Sequence, residues 1–218
     1  MIHELEADSI RLEFDGRIIL SDIYLKCETG KITGLLGRNG QGKSCLMKII
    51  HGSLNCDKSI RFDKIVEPTA FKKPGLVAYL PQFNFIPKFL SLKRIFTDFN
   101  LEYSLFEKRF PEYSSKYKTA IGALSGGERR LVEIYVTLRS NSNFSLLDEP
   151  FTHLNPLQIE KLKALLLEER KIKGLLITDH MYKHVVDVSD DLYVLADRKI
   201  YLTKSIHDVE SLGYVSIR

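Results

Sequence analysis

The residues from Gly37 to Ser44 have the glycine spacing of a loop that wraps around phosphate groups. Glycines let bare backbone amides curl around phosphate oxygens, and Lys43 is spaced to reach the β and γ phosphates of a nucleotide. Ser44 adds a hydroxyl that suits Mg²⁺. An apolar strand pattern precedes the loop and a helical apolar pattern follows it, which disfavours the alternative of a glycine turn without a ligand. The positive end of that helix would face the phosphates.

Two adjacent carboxylates, Asp148 and Glu149, follow an apolar stretch at 144–147. If that stretch is a buried strand, both carboxylates lie at its carboxyl end, where α/β sheets place their ligands. Asp148 is then suited to hold Mg²⁺ through water, and Glu149 to act as a general base toward an attacking water. The alternative is an acidic turn before Pro150, and a phosphate loop in the same chain argues against it.

A third motif, Leu-Ser-Gly-Gly-Glu at 124–128, admits two interpretations. Ser125 and Glu128 have the spacing of a helix capping box. Two consecutive glycines, however, weaken a helix interior by roughly 1 kcal/mol each relative to alanine, and by less in a first turn. We therefore favour exposed backbone amides at Gly126 and Gly127 that bind an anion at a helix start.

The apolar patterns predict the elements that position these motifs. Alternating runs at 2–27, broken at 15–16 and 21–22, predict antiparallel strands with tight turns. Strands and helices then alternate, which predicts an α/β fold with a parallel sheet. The predicted strands lie at 32–36, 76–80, 144–147, 175–178, 192–196 and 199–202. The predicted helices follow the phosphate loop as far as Gly52 and lie within 91–117, at 126–138 and at 156–171.

Composition limits the classes of protein to consider. The chain has 218 residues, 44% of them hydrophobic, and a net charge of +4, which suits one sizeable α/β domain. The mild charge, without a long Lys/Arg run, argues against direct nucleic-acid binding. No apolar run approaches the roughly 20 residues needed to cross a bilayer, so we expect a cytosolic protein. Cys27, Cys45 and Cys56 lack metal-ligand spacing and indicate free thiols.

The order of the three motifs resembles the ATP-binding cassette family, whose signature is the same Leu-Ser-Gly-Gly-Glu sequence, and the resemblance covers nearly the whole chain. It implies an enzyme that hydrolyses ATP with Mg²⁺. Gln82 is similar to the family's Q-loop glutamine, His180 to its switch histidine and Phe14 to its adenine-stacking aromatic. A solvated turn residue, a helix cap and a core position are the respective alternatives.

The resemblance also assigns roles and boundaries. It implies a P-loop NTPase core with an N-terminal antiparallel β subdomain, in a single domain at 1–218 whose ATP-binding core takes 1–85 and 124–218 and whose short helical subdomain takes 86–123. The expected catalytic residues are Lys43, Glu149 and His180. The expected Mg²⁺ ligands are Ser44, Gln82 and Asp148. The expected ATP contacts are Phe14, Gly37, Asn39, Gly40, Gly42, Lys43, Ser44, Cys45, Gln82, Ser125, Gly126 and Gly127.

A head-to-tail homodimer is implied as well, with two ATP molecules between the phosphate loop of one copy and residues 125–127 of the other. The motif wording at 127–130, 147–151 and 176–180 is most similar to lipopolysaccharide-export and branched-chain amino-acid-import ATPases. We therefore expect a transport motor, cytoplasmic and peripheral on the inner face of the cell membrane through separate transmembrane permease subunits. The alternative is a soluble cassette that acts on ribosomes, nucleic acids or cofactor-cluster assembly. A phosphate-loop kinase or GTPase would leave 125–128 without a role.

Two residues depart from the family pattern. Cys45 stands where the family usually has threonine, and its place at a helix start near a lysine predicts a lowered thiol pKa. Asn155 stands where the family usually has aspartate, and the following Pro156 predicts that Asn155 caps a helix. The sequence leaves open whether the following aromatic cluster is core or a docking surface: Phe83, Phe85, Phe89, Phe96 and Phe99.

Overall fold

The protein, a computed structural model, is described over residues 2–203 and at Asp208. In this part of the chain the strands are β1 (Glu4–Phe14), β2 (Arg17–Glu28), β3 (Ile32–Gly37), β4 (Asp57–Phe62), β5 (Ile65–Val66), β6 (Val77–Leu80), β7 (Phe144–Asp148), β8 (Gly174–Thr178), β9 (Asp191–Ala196) and β10 (Lys199–Thr203). The α-helices are α1 (Lys43–His51), α2 (Leu92–Asp98), α3 (Tyr103–Arg109), α4 (Gly126–Arg139), α5 (Pro156–Glu169) and α6 (Tyr182–Val188). Among the described residues, no helix has both the length and the apolar character needed to cross a membrane.

The larger sheet has six strands in the order β10-β9-β3-β8-β7-β6. All neighbours pair in parallel except β10, which is antiparallel to β9. The predicted α/β fold with a mostly parallel sheet is therefore confirmed. Because β8 lies between β3 and β7, the phosphate loop after β3, the carboxylates at the end of β7 and His180 after β8 all emerge at one edge of the sheet.

The smaller sheet is antiparallel, in the order β2-β1-β4-β5, and confirms the predicted N-terminal antiparallel strands. The predicted break at 15–16 is the turn between β1 and β2. The predicted break at 21–22 is wrong, because β2 continues through it with Asp22 at φ +54° beside a register shift in the β1–β2 pairing. Three elements, β4, β5 and α6, lack a sequence signal because they are short and carry few apolar residues in a row.

Between β6 and α4 the chain forms two short α-helices, α2 and α3, both within the segment 91–117 that the apolar spacing predicted to be helical. Asn100, at φ +53°, ends the first of them with a left-handed turn. The phenylalanine cluster is partly in the core and partly on the surface. Phe96 is buried against aromatic rings of α3 and α4, whereas Phe83 is 64% exposed and Phe89 is 80% exposed. Phe85 and Phe99 are partly buried at the edge of the core.

Both faces of the six-stranded sheet are covered, which explains the continuous apolar runs of its central strands. Leu36 and Leu147 face one core, which α4 and α5 complete. The adjacent Leu35 and Leu146 face a second core, formed with α1 and the antiparallel sheet. The period of two along each strand produces this division. The strands are thus fixed on both sides, and the loops at their carboxyl ends start from rigid positions.

Candidate active site

Lys43, the first residue of α1, folds back onto the phosphate loop. Its Nζ donates hydrogen bonds to the carbonyls of Gly37 at 2.6 Å and Arg38 at 3.1 Å, and the side chain is buried. Burial lowers the pKa of Lys43, while the nearby carboxylates act in the opposite direction. Gly42 caps the helix at φ +102°, and a Cβ there would lie 2.9 Å from Ile19, so a larger residue does not fit. The ammonium group is therefore held by carbonyls that phosphate oxygens could replace.

Asp148, the last residue of β7, is held on both carboxylate oxygens. Ser44 Oγ donates to Oδ1 at 3.1 Å, and Tyr79 Oη donates to Oδ2 at 3.2 Å. The carboxylate is buried, and this burial raises the pKa of Asp148 against the opposing effect of the two hydrogen bonds. A hydroxyl and a carboxylate brought together in this way are hard oxygen ligands of the kind that Mg²⁺ prefers.

Glu149 has an unusual backbone for a residue that carries a side chain. Its φ is +52°, in the left-handed region, and its N–H donates to the carbonyl of Thr178 at 2.8 Å. The side chain is 15% exposed, and its Oε2 lies 3.4 Å from Nδ1 of His180. Thr152 Oγ1 donates to the same oxygen at 3.4 Å. The Glu149 carboxylate, which follows β7, is thus directed toward His180, which follows β8.

One cavity of about 680 Å³ collects most of the residues that the sequence assigned to ATP. Ile19, which the sequence analysis did not select, also lines it. Phe14 lies at this cavity and is 47% exposed, so the alternative of a core position is wrong. The predicted residues in the lining are Phe14, Asn39, Gly40, Gly42, Lys43, Ser44, Cys45, Gln82, Glu149 and His180.

Ser125 and Gly127 lie elsewhere, in a second cavity shared with His153 and Asn155. A Cβ at Gly127 would lie 2.6 Å from the carbonyl oxygen of His153, so close packing alone requires glycine there. A Cβ at Gly126 would have no neighbour within 4 Å among the residues that the structure describes. The contacts within one chain therefore explain the second glycine of the doublet and leave the first without a steric reason.

The capping interpretation of this motif is also present in the structure. Ser125 Oγ accepts a hydrogen bond from the Glu128 N–H at 3.3 Å, and Glu128 Oε2 accepts one from the Ser125 N–H at 2.9 Å. Lys116 pairs with Glu128, and this contact is the main cause of a lowered pKa of that carboxylate. The two side chains thus form a capping box, while anion binding by the exposed amides stays a prediction.

The two departures from the family pattern have different outcomes. Asn155 caps α5 as predicted: its Oδ1 accepts from the Gln158 N–H at 2.9 Å, and Gln158 Oε1 accepts from the Asn155 N–H at 3.1 Å. The predicted lowering of the Cys45 pKa is wrong. Burial raises the pKa of Cys45 and outweighs the opposite effect of Lys48.

Three polar residues at this site escaped the sequence analysis. Tyr79 holds Asp148, and the buried Asp179 accepts backbone hydrogen bonds from Phe151 and Met181. The third is Arg130, a buried residue of α4. Two of them had a sequence signal: Tyr79 carries a hydroxyl in an apolar strand, and Asp179 directly precedes the candidate histidine. Arg130 had none, because α4 carries four other charged residues.

Comparison with known proteins identifies the family. The family model described as "ABC transporter" matches residues 20–152, which is more than half of the chain and includes the phosphate loop, the signature motif and the paired carboxylates. The chain belongs to the ABC transporter family. This ABC protein is therefore an ATP-binding, ATP-hydrolysing subunit of the transporter type, and a non-transport role is not favoured.

Two curated relatives carry the same name, "Lipopolysaccharide export system ATP-binding protein LptB". The protein from Haemophilus influenzae is 30% identical over 215 residues, which cover 91% of this chain and 89% of the relative. The protein from Escherichia coli K12 is 30% identical over 210 residues, which cover 88% and 86%. A solved structure described as the ATP-binding subunit of an ABC transporter superposes on this ABC protein with a TM-score of 0.80 at 20% identity, over 98% of this chain and 95% of the other. At 20% identity, this structural similarity shows that the two chains share a fold.

Proposed function

We propose that this chain binds ATP with Mg²⁺ in the 680 Å³ cavity and hydrolyses it as one half of a head-to-tail dimer that drives a membrane transporter. The observation that carries the proposal is the convergence of three chain segments at one sheet edge. The loop hydroxyl of Ser44 contacts Asp148 across 3.1 Å, and His180 lies 3.4 Å from the neighbouring Glu149. These groups match the parts that assist phosphoryl transfer to water: a cation for the phosphates, oxygen ligands for Mg²⁺ and residues that position the attacking water.

Mg²⁺ fits the residues present. In proteins Mg²⁺ takes one or two carboxylates together with substrate phosphates, and it needs no cage of protein ligands. Among the described residues, no group of three or more His, Cys, Asp or Glu side chains forms such a cage. Ser44 and Asp148 would hold the ion, with Gln82 reaching it from the cavity wall. The bound ion would neutralise charge on the phosphates during the reaction.

Three side chains of this protein would each have a separate role in ATP hydrolysis. Lys43 would leave the carbonyls of Gly37 and Arg38 and bind the β and γ phosphates. Glu149 would accept a proton from the attacking water, since general bases must lie within hydrogen-bond reach of the proton that they remove. His180, whose side chain is 47% exposed toward the same cavity, would hold the γ phosphate and orient the water.

A second copy of the chain would complete each site. Ser125, Gly126 and Gly127 stand at the start of the 14-residue helix α4, away from the first cavity. The N-terminus of a helix attracts anions through its free amides and its dipole. No described residue comes within 4 Å of a Cβ added at Gly126, which leaves room for phosphate groups bound by a partner. This arrangement supports the head-to-tail dimer.

We further propose that the membrane part is a separate set of subunits, which would keep this chain at the cytoplasmic face of the membrane. The names of the relatives describe ATP-binding proteins of an export system, which supports an ATP-binding subunit with partners of its own. Phe83, next to Gln82, and Phe89, within the helical region 86–123, are exposed apolar side chains. We assign this region to a helical subdomain of the single domain, with 1–85 and 124–218 as the ATP-binding core.

The test of this function is Glu149→Gln. The amide cannot accept a proton from water, so we expect ATP turnover to fall by about 100-fold or more while ATP still binds. The bound ATP should then hold a dimer, measured by size-exclusion chromatography with light scattering. Lys43→Ala is the contrasting variant, because it should lose nucleotide affinity and stay monomeric. Normal hydrolysis by the glutamine variant, or a monomer at saturating ATP, would contradict the proposal.

A further inference from the structure

Arg130 lies on α4, the signature helix, which begins with the Leu-Ser-Gly-Gly-Glu motif. Its guanidinium group connects this helix to the end of β7 and to the segment before Gln82. We propose that Arg130 is a positioning residue, which fixes the backbone of Glu149 and of Pro81, the residue before Gln82, relative to α4. The inference rests on the proposed role of Glu149 as general base. Arg130 touches neither cavity described above and acts through the segments that it holds.

The guanidinium donates to three backbone carbonyls from three positions in the chain. Its Nη1 donates to Pro81 at 2.8 Å, and its Nη2 donates to Asp148 at 2.7 Å and Glu149 at 3.0 Å. Only 2% of the residue is exposed, so water does not compete for these contacts. A guanidinium is planar and presents several N–H groups in a fixed fork, so one side chain can hold carbonyls that lie in different directions.

Glu149 needs this support because its backbone is strained. A φ of +52° is uncommon for a residue with a side chain and persists where surrounding contacts fix it. Its N–H is bonded to Thr178, at the end of β8, and its carbonyl is bonded to Arg130. Both backbone polar groups of Glu149 are therefore fixed from outside β7, one by the strand that leads to His180 and one by α4.

Pro81 extends the connection to the nucleotide cavity. It lies directly before Gln82, which lines that cavity, and its carbonyl accepts from the same guanidinium that holds Glu149. One buried side chain of α4 consequently contacts both the backbone of Glu149 and the residue before Gln82. A displacement of α4 by a partner's nucleotide would be transmitted to Glu149 through this residue.

Arg129 provides a matched control on the same helix. It is also buried, at 6% exposure, and shares the acidic partner Glu133 with Arg130. Its guanidinium donates to the carbonyl of Ile86 and to Glu133, and it makes no hydrogen bond to the carboxyl end of β7. Loss of either arginine removes a buried cation from α4, but only loss of Arg130 releases Glu149.

The experiment compares Arg130→Met with Arg129→Met in the full-length chain. Methionine fills similar volume without charge, so the thermal transition of each variant reports the cost to α4. We expect Arg130→Met to lower kcat by about 10- to 100-fold, since small errors in placement of a catalytic group have effects of that size. The affinity of Arg130→Met for ATP with Mg²⁺, measured by fluorescence of a labelled analogue, should stay within about threefold of that of the unmodified chain. Arg129→Met should keep kcat within about threefold of the unmodified chain.

Arg130→Lys decides the question if the methionine variant does not fold. Its single ammonium group can hold some of the three carbonyls but lacks the fork, so kcat should fall by about fivefold with unchanged affinity. The proposal is overturned if an Arg130 variant keeps full kcat, or if Arg129→Met loses as much kcat as Arg130→Met. Absence of ATP hydrolysis by the unmodified chain would instead contradict the proposed function.

Discussion

Tyr79 Oη donates a hydrogen bond of 3.2 Å to Oδ2 of Asp148, across two neighbouring parallel strands. The opposite oxygen of the same carboxylate accepts from Ser44 at 3.1 Å. The candidate metal ligand is therefore oriented before any metal binds, by one residue of the phosphate loop and one residue of β6. Orientation of a ligand by its hydrogen-bond partners normally raises the affinity for the metal.

Tyr79→Phe tests this orientation. Loss of one hydrogen bond to a buried carboxylate should weaken the apparent Mg²⁺ affinity in the presence of ATP by about three- to tenfold. ATP binding in the presence of a chelator should not change. Both quantities follow from titrations of a fluorescent ATP analogue. Tyr103→Phe is the control, because that hydroxyl donates to the carbonyl of Tyr113 in the helical region. An unchanged Mg²⁺ midpoint in the Tyr79 variant would refute the orienting role.

Asp148→Asn should stabilise the chain in the absence of ligands. Burial raises the pKa of Asp148 above its unfolded value, so the stability that this carboxyl contributes is complete below the unfolded pKa and is lost as pH rises through the folded pKa. The amide has no such loss, and at pH 7 we expect a Tm higher by about 2 °C or more, with a smaller difference toward pH 4. The rise of Tm caused by ATP with Mg²⁺ should disappear.

Asp179→Asn is the comparison for this carboxylate. Its two oxygens each accept a backbone N–H, from Phe151 at 2.8 Å and Met181 at 2.9 Å. The hydroxyls that contact Asp148 can rotate to accept from an amide NH₂ group, whereas a backbone N–H can only donate and would face that group. The same substitution should therefore lower the Tm at this position. Thermal scans of both variants across pH separate the two effects, and a lower Tm for Asp148→Asn at pH 7 would contradict the first.

Alanine substitutions at Gly126 and Gly127 distinguish a role in packing from a role in ligand binding. Gly127→Ala would place a Cβ 2.6 Å from the carbonyl oxygen of His153, so we expect a Tm lower by about 4 °C or more. Gly126→Ala meets open space in the described part of the chain and should keep the Tm within about 2 °C. If the amides bind a partner's phosphates, Gly126→Ala should still reduce the ATP-dependent dimer of the Glu149→Gln variant. Equal dimer formation with and without the Gly126 substitution would exclude that role.

Cys45 should be a slow but nucleotide-sensitive thiol. Burial raises the pKa of Cys45, so less thiolate is present at pH 7 and alkylation should be slower than for a free cysteine, increasing by about tenfold per pH unit below the pKa. Because Cys45 lines the candidate ATP cavity, ATP should slow the reaction further. Mass spectrometry with Cys45→Thr as control assigns the label, and Cys56, outside that cavity, serves as internal reference. Equal labelling with and without ATP would argue against nucleotide at this cavity.

The parts of the site that the sequence predicted are those encoded within short segments. The loop at 37–44 and the pair of carboxylates each depend on one strand and the turn after it, so their spacing is visible in the chain itself. The alternation of strands and helices also predicted the parallel sheet correctly. The predicted break at 21–22 failed because pairing with β1 carries β2 past a local turn signal, which remains only as a register shift beside Asp22.

What the sequence by itself determined is thus the set of chemical groups and the strand ends that carry them. Only the tertiary structure decided how those groups are held: Tyr79 reaches Asp148 from another strand, and Arg130 binds the backbone of Glu149 from a helix. The same holds for the Cys45 thiol, where burial reversed the expected direction of the pKa shift. The physical reason is that hydrogen bonding and desolvation at a site depend on distant segments packed against it, and these contacts have no fixed spacing in the chain.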